Sequence, residues 1–181
     1  MKSLNLLREA VAGWVGIVRG DPTWADHFHR TPAGLSSAIA LFAVLAFLAI
    51  ALASLGVGVP ALWGFVAAML VQALSLVALF AATYGTRLAV PSGRPVLDTL
   101  VPGVYALIFY LVAGIALSMF GGPLLILLWL GLVILLFRLG RAAAGWPIGV
   151  AAAFAVLTLV LLVGMPLILY MLTGPVAAPA P

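Results

Sequence analysis

The chain has no cysteine among its 181 residues, which excludes disulfides, thiolate metal sites and thiol redox chemistry. Charge is nearly as scarce. Four residues are acidic, eight are basic and two are histidine, and charged residues make up 7% of the sequence. A soluble domain carries about 25%, and with 66% of this chain apolar the main solvent is lipid. Also missing are a phosphate-binding glycine loop, a Ser-His-Asp arrangement and any H-E-x-x-H or related metal spacing. The net charge of +4 does not read as a nucleic-acid surface, because eight basic residues in so apolar a chain act as topology markers. No catalytic, cofactor-binding or metal-ligating residues are expected, and no cofactor.

What the chain does have is long apolar runs. Crossing the hydrocarbon core takes about 20 apolar residues, and five stretches qualify, at about 33–55, 61–84, 99–120, 123–141 and 147–172. Each begins at or near a proline: Pro32, Pro60, Pro102, Pro123 and Pro147. Proline fits the first helical turn because the amide hydrogen it lacks has no intrahelical partner there. Thr31 is the candidate N-cap of the first span, and Asp98 that of the third, with Pro102 still in its first turn. In the fifth run "GMP", Gly164 to Pro166, is expected to kink the helix or end its regular part. The first apolar run exceeds the roughly 7–15 residues of a signal-peptide core, so it is expected to stay in the membrane. The fold class is therefore all-α: a polytopic membrane protein of five transmembrane helices, preceded by an N-terminal amphipathic interfacial helix. Residues 1–32 form the polar segment, 33–173 the membrane domain and 174–181 a short tail.

The basic residues give an orientation. Lys2, Arg8, Arg19 and Arg30 precede the first span, Arg87 and Arg94 lie between the second and third, and Arg138 and Arg141 between the fourth and fifth. The turns "GVGVP" and "FGGP" and the tail "GPVAAPAP" carry no charge. The positive-inside rule then puts the N-terminus in the cytoplasm and the C-terminus outside. The preference for Arg, Ala, Gly and Pro fits a GC-rich bacterial gene and hence a cell inner membrane. A reporter fused after Pro181 is expected to be active only outside the cytoplasm; a cytoplasmic signal would overturn the topology. The tight turns predict that spans 1–2 and 3–4 form antiparallel hairpins, followed by a lone fifth helix. No residue-level repeat supports an inverted-repeat transporter.

Within residues 4–18, Leu4, Leu7, Val11, Trp14, Val15 and Val18 fall on one helical stripe, with Lys2, Asn5, Arg8 and Glu9 to its polar side. This pattern predicts a helix lying on the membrane surface; the alternative is a stripe packed on loops or on a partner. Next comes the most polar stretch, "RGDPTWADHFHRTPAG", residues 19–34, with both histidines and two of the acidic residues. Its Asp-Pro pair starts a helical turn or two over residues 22–29. On such a helix His27 and His29 stand about 200° apart and cannot share a ligand. In an extended segment they would point the same way, and a metal site would need Asp21 or Asp26 as a third ligand. A pH-responsive histidine pair is a further reading. The expected one is a headgroup-level belt of Trp24, His27, Phe28, His29 and Arg30. The candidate interaction surface is Arg19, Asp21, Trp24, Asp26, His27, His29 and Arg30.

Apart from Arg138 and Arg141 at the end of the fourth, the spans hold no Asp, Glu, Lys, Arg or His. That counts against ion-coupled carriers, pumps and intramembrane proteases, which keep an ionisable group in the membrane. The most polar intramembrane pair is Gln72 and Ser75, one turn apart. It is either a ligand contact or, as expected, a source of interhelical hydrogen bonds worth about 1 kcal/mol each. Gly114 with Ser118 and Gly145 with Gly149 have the small-xxx-small spacing of close helix contacts. Tyr84, Tyr105, Tyr110, Tyr170, Trp63 and Trp146 sit mostly near span ends, as interface anchors.

"LLREAVAGWVGIVRGDPTW" resembles the basic-amphipathic segment with Asp-Pro that precedes span 1 in bacterial members of the Yip1-like family. "RAAAGWPIGVAAAF" is similar to the loop leading into their last span. The five-span layout with a cytoplasmic N-terminal segment resembles theirs along the whole chain. The Asp-Leu-Tyr-Gly-Pro motif of the eukaryotic members is absent, so their vesicle-trafficking role is not carried over. The resemblance implies a non-enzymatic membrane protein that acts through other proteins or lipids.

The expected function is thus that of an interaction or accessory subunit, with membrane lipids and other membrane proteins or further copies of itself as partners. A small permease or lipid- or solute-binding protein with an uncharged pocket at Gln72, Ser75 and Pro166 is the alternative.

Overall fold

The computed structural model describes residues 2–57, 62–118 and 124–173, and every regular element among them is helical. The order is α1 Lys2–Arg19, a short 3-10 helix Pro22–His27, α2 Pro32–Val57, α3 Leu62–Ala89, α4 Leu97–Ser118, α5 Leu124–Leu139 and α6 Ile148–Thr173. A π-helical turn, Gly140–Ala144, prolongs α5. Five helices, α2 to α6, are long and apolar enough to cross a membrane. The chain is an all-α multi-pass membrane protein.

Capping explains where the helices begin. The Thr31 hydroxyl accepts from the Gly34 amide at 3.0 Å and Pro32 is the first residue of α2, so this start is as expected. At α4 the chain departs from expectation. The helix already begins at Leu97, so Asp98 sits inside the first turn, and Pro102 falls in the second. Instead of capping, the Asp98 carboxylate takes an ion pair from Arg30, and its place near the helix N-terminus favours the negative charge. α6 runs through Pro166 to Thr173, so the regular helix does not end there. Pro60 and Pro123, all of "FGGP", most of "GVGVP" and the tail lie outside the described residues.

α4 is the hub of the bundle. In its most apolar stretch 56% of residues are buried inside the protein, against 17–28% in the other four spans. α2 and α5 pack on α4, α6 packs on α5 and α3, and α3 closes onto α4. α4 and α5 pack on each other, and α2 and α3 also touch, though far less than α2 and α4 do; the turns of both expected hairpins fall wholly or mostly outside the described residues. Gly103 is the reason α3 comes in close: a Cβ there would stand 3.0 Å from the Leu79 side chain. Of the small-residue pairs, Gly114 does face a neighbour, Leu128. Gly145 and Gly149 do not form a contact pair. Gly149 faces open space, and Gly145, at φ +70°, closes the π turn.

α1 divides its apolar stripe between two surroundings. Ala10, Trp14 and Ile17 are buried against the bundle and the 3-10 helix, whereas Val11, Val15 and Val18 are exposed. One edge of the stripe thus packs on this protein's own helices, and the other leaves a row of valines open.

Candidate functional site

The polar stretch folds back on α1 and plugs one end of the bundle. Gly20, at φ +79°, turns the chain out of α1, and Asp21 starts the 3-10 helix. Its carboxylate accepts from the Thr23 amide at 2.9 Å and the Thr23 hydroxyl at 2.8 Å. Those two bonds, the amide's first, hold the Asp21 carboxyl below the usual carboxylate range, with a smaller pull from His27.

Two glycines of α1 make room for the aromatic residues of the plug. A side chain on Gly13 would overlap the Phe28 ring, and one on Gly16 would press on Trp24 at 3.1 Å. Trp24 and Phe28 are consequently buried. Their rings pack with centroids 6.2 Å apart, and Phe28 continues to Tyr105 of α4 at 5.9 Å. The expected headgroup belt is corrected here, since its two largest rings face protein.

Arg30 fastens this plug to the hub. Its guanidinium lies 3.1 Å from the Asp98 carboxylate and 5.9 Å from the centre of the Trp24 ring. The histidines end up in different backbone states, His27 closing the 3-10 helix and His29 in the irregular stretch behind it. They nevertheless border one cavity of about 300 Å³ with Ser37 and Tyr105. His29 reaches Glu9 of α1 only at 4.0 Å, with both side chains exposed, a contact worth little in water. Among the described residues no three of His, Asp and Glu gather at metal-ligand distances, so the ligand set that a histidine metal site needs is not assembled. Asp26 is exposed, and Arg19 lines an apolar groove between α1, α4 and α5. Gln72 and Ser75 are half-buried on α3 and line none of the cavities at this end.

Sequence reasoning used Arg94, Arg138 and Arg141 only as topology markers, and the structure gives them more to do. The π turn and the end of α5 leave carbonyls without helical partners. Arg94 donates to the Ala142 and Ala143 carbonyls, the Ser92 hydroxyl to Ala144 at 2.8 Å, and Arg141 to Trp146 at 2.8 Å. Arg87 donates in turn to the carbonyl of Arg94. The α3–α4 and α5–α6 connections are thereby clamped together. Arg94, Arg138 and Arg141 then line a cavity of about 460 Å³ beside Asp21 and Trp24. A cation shortly after an apolar run was the only sequence signal, because the π turn that creates the acceptors has no sequence mark.

The chain matches no family model, no curated protein and no solved structure.

Proposed function

We propose that this protein is a non-catalytic interaction subunit of the bacterial inner membrane, working through the plug at the basic, cytoplasmic end of its bundle. The observation that carries this reading is the contrast between the two candidate sites. The plug is held by Arg30–Asp98 and the Trp24–Phe28–Tyr105 ring series, and it presents Asp26, His27 and His29 outward beside the exposed Glu9 of α1. The intramembrane pair Gln72 and Ser75, on which the permease alternative rests, is half-buried on α3. The resemblance to five-span Yip1-like proteins agrees with a role exercised through proteins or lipids.

Photo-crosslinking in native membranes tests the proposal. A photoreactive residue at Asp26 or His29 is expected to give discrete adducts to a protein partner or to a second copy. The same residue at Trp63, at the opposite end, serves as the reference. Absence of discrete adducts at the plug, or adducts equal at both ends, would overturn the subunit reading. Solute uptake by proteoliposomes that Gln72→Leu abolishes would establish the permease instead.

A further inference from the structure

We propose that the arginine-lined cavity and the valine groove beside it together hold one anionic phospholipid, with its phosphate among the guanidiniums and an acyl chain along the groove. Independently of any subunit role, three features on the same end of the bundle lead there.

The first is uncompensated charge. Arg94, Arg138 and Arg141 converge on one cavity of about 460 Å³ whose single carboxylate, Asp21, is already bonded twice to Thr23. Arg138 is exposed and has no carboxylate within ion-pair distance among the described residues. Arg94 and Arg141 spend part of their donors on carbonyls. A guanidinium has five N–H donors in a planar fork, so each keeps donors suited to phosphate oxygens.

The second is depth. Arg138 and Arg141 lie in the last two turns of the membrane-crossing stretch Ile126–Ala144. Basic pockets between spans at that level are where phospholipid headgroups are recognised.

The third is continuity with an apolar surface. The exposed valines Val15 and Val18 face Phe109 and Leu135 across an open groove of about 490 Å³. Ile17 at the end of α1 and Gly20 just beyond it wall the charged cavity, while their chain neighbours Val18 and Arg19 wall the groove from the other face of the helix. On α5, Leu135 of the groove and Arg138 of the cavity are one helical turn apart, hence on one face. A charged recess next to an apolar one, one helical turn apart along α5, fits an amphiphile better than a soluble phosphate ester, which would leave the groove unfilled.

Native mass spectrometry of the full chain, released from nanodiscs of phosphatidylglycerol or of phosphatidylcholine with the same chains, tests this. Phosphatidylglycerol is expected to be retained about tenfold better than phosphatidylcholine. Arg138→Gln should lower that retention about tenfold, the scale of one charge-assisted hydrogen bond. Arg138 bonds no backbone carbonyl in the clamp, so this variant should fold. Val18→Asn should also lower retention, and Arg8→Gln, away from the cavity, should leave it unchanged.

Equal retention of the two lipids, or an Arg138→Gln protein that behaves like the original, would overturn the site. So would an Arg8→Gln loss as large as that of Arg138→Gln, which would mean bulk charge attraction. If millimolar inorganic phosphate or glycerol 3-phosphate displaces the lipid and Val18→Asn has no effect, the ligand is a soluble phosphate and the lipid proposal fails.

Discussion

Replacing Gly34 by alanine is expected to destabilise the protein by about 1–2 kcal/mol, although helix propensity alone argues the other way. Gly34 lies in the first turn of α2, where Gly to Ala gains up to about 1 kcal/mol. The added Cβ would, however, fall on the carbonyl group of His29. That carbonyl is backbone and already accepts from the Thr31 amide at 2.8 Å, and Thr31 in turn caps α2 through the Gly34 amide. Relief thus requires moving both the cap and the short turn that leads to it, and overpacking of this kind costs about 1–3 kcal/mol. Thermal unfolding in detergent, read beside Gly149→Ala, checks the result. Gly149 is in the first turn of α6 with nothing within 4 Å of an added Cβ, so that variant should be neutral or slightly stabilised. If Gly34→Ala is equally neutral, the plug does not press on α2.

The contrast between these two glycines shows what the sequence could convey. The five spans were legible because apolar runs of membrane-crossing length admit few other solutions, and the prolines and Thr31 marked their starts. Which span is central was not legible. All five runs are almost equally apolar, and it takes Gly103 meeting Leu79, and the burial of α4 on three sides, to make the third span the hub. The plug was half legible. Asp21-Pro22 correctly signalled a helical turn, while Trp24 and Phe28 read as headgroup residues because nothing in a one-dimensional pattern says that Gly13 and Gly16 lie opposite them. Asp98 read as a cap for a similar reason: its local spacing allowed it, and its true partner, Arg30, is distant in sequence. The cavity arginines were visible as charges, but their convergence depends on a π turn and on tertiary clamping, neither of which leaves a periodic trace.

The ion pair from Arg30 to Asp98 ties the polar segment to the hub helix, and removing its two members should cost unequal amounts. Asp98 is nearly buried, with 12% of its side chain exposed, and Arg30 is 34% exposed. Asp98→Ala leaves an arginine that still lies over Trp24 and can carry its charge outward to water, so about 1–2 kcal/mol is expected. Arg30→Ala removes the ion pair and the cation–ring contact together. It also leaves a carboxylate in the protein with only the start of α4 to favour its charge, so about 2–4 kcal/mol is expected. The double variant should cost less than the sum of the two, by about 1–2 kcal/mol, because the second removal relieves the stranded carboxylate. Hydrogen exchange over residues 22–31 is the right observable, since detachment of the plug is a local opening that need not unfold the spans. Faster exchange confined to that stretch, larger for Arg30→Ala than for Asp98→Ala, is the predicted pattern. Additive costs, or exchange that rises equally throughout the bundle, would mean that the plug is held by its rings alone and that this ion pair is a surface contact.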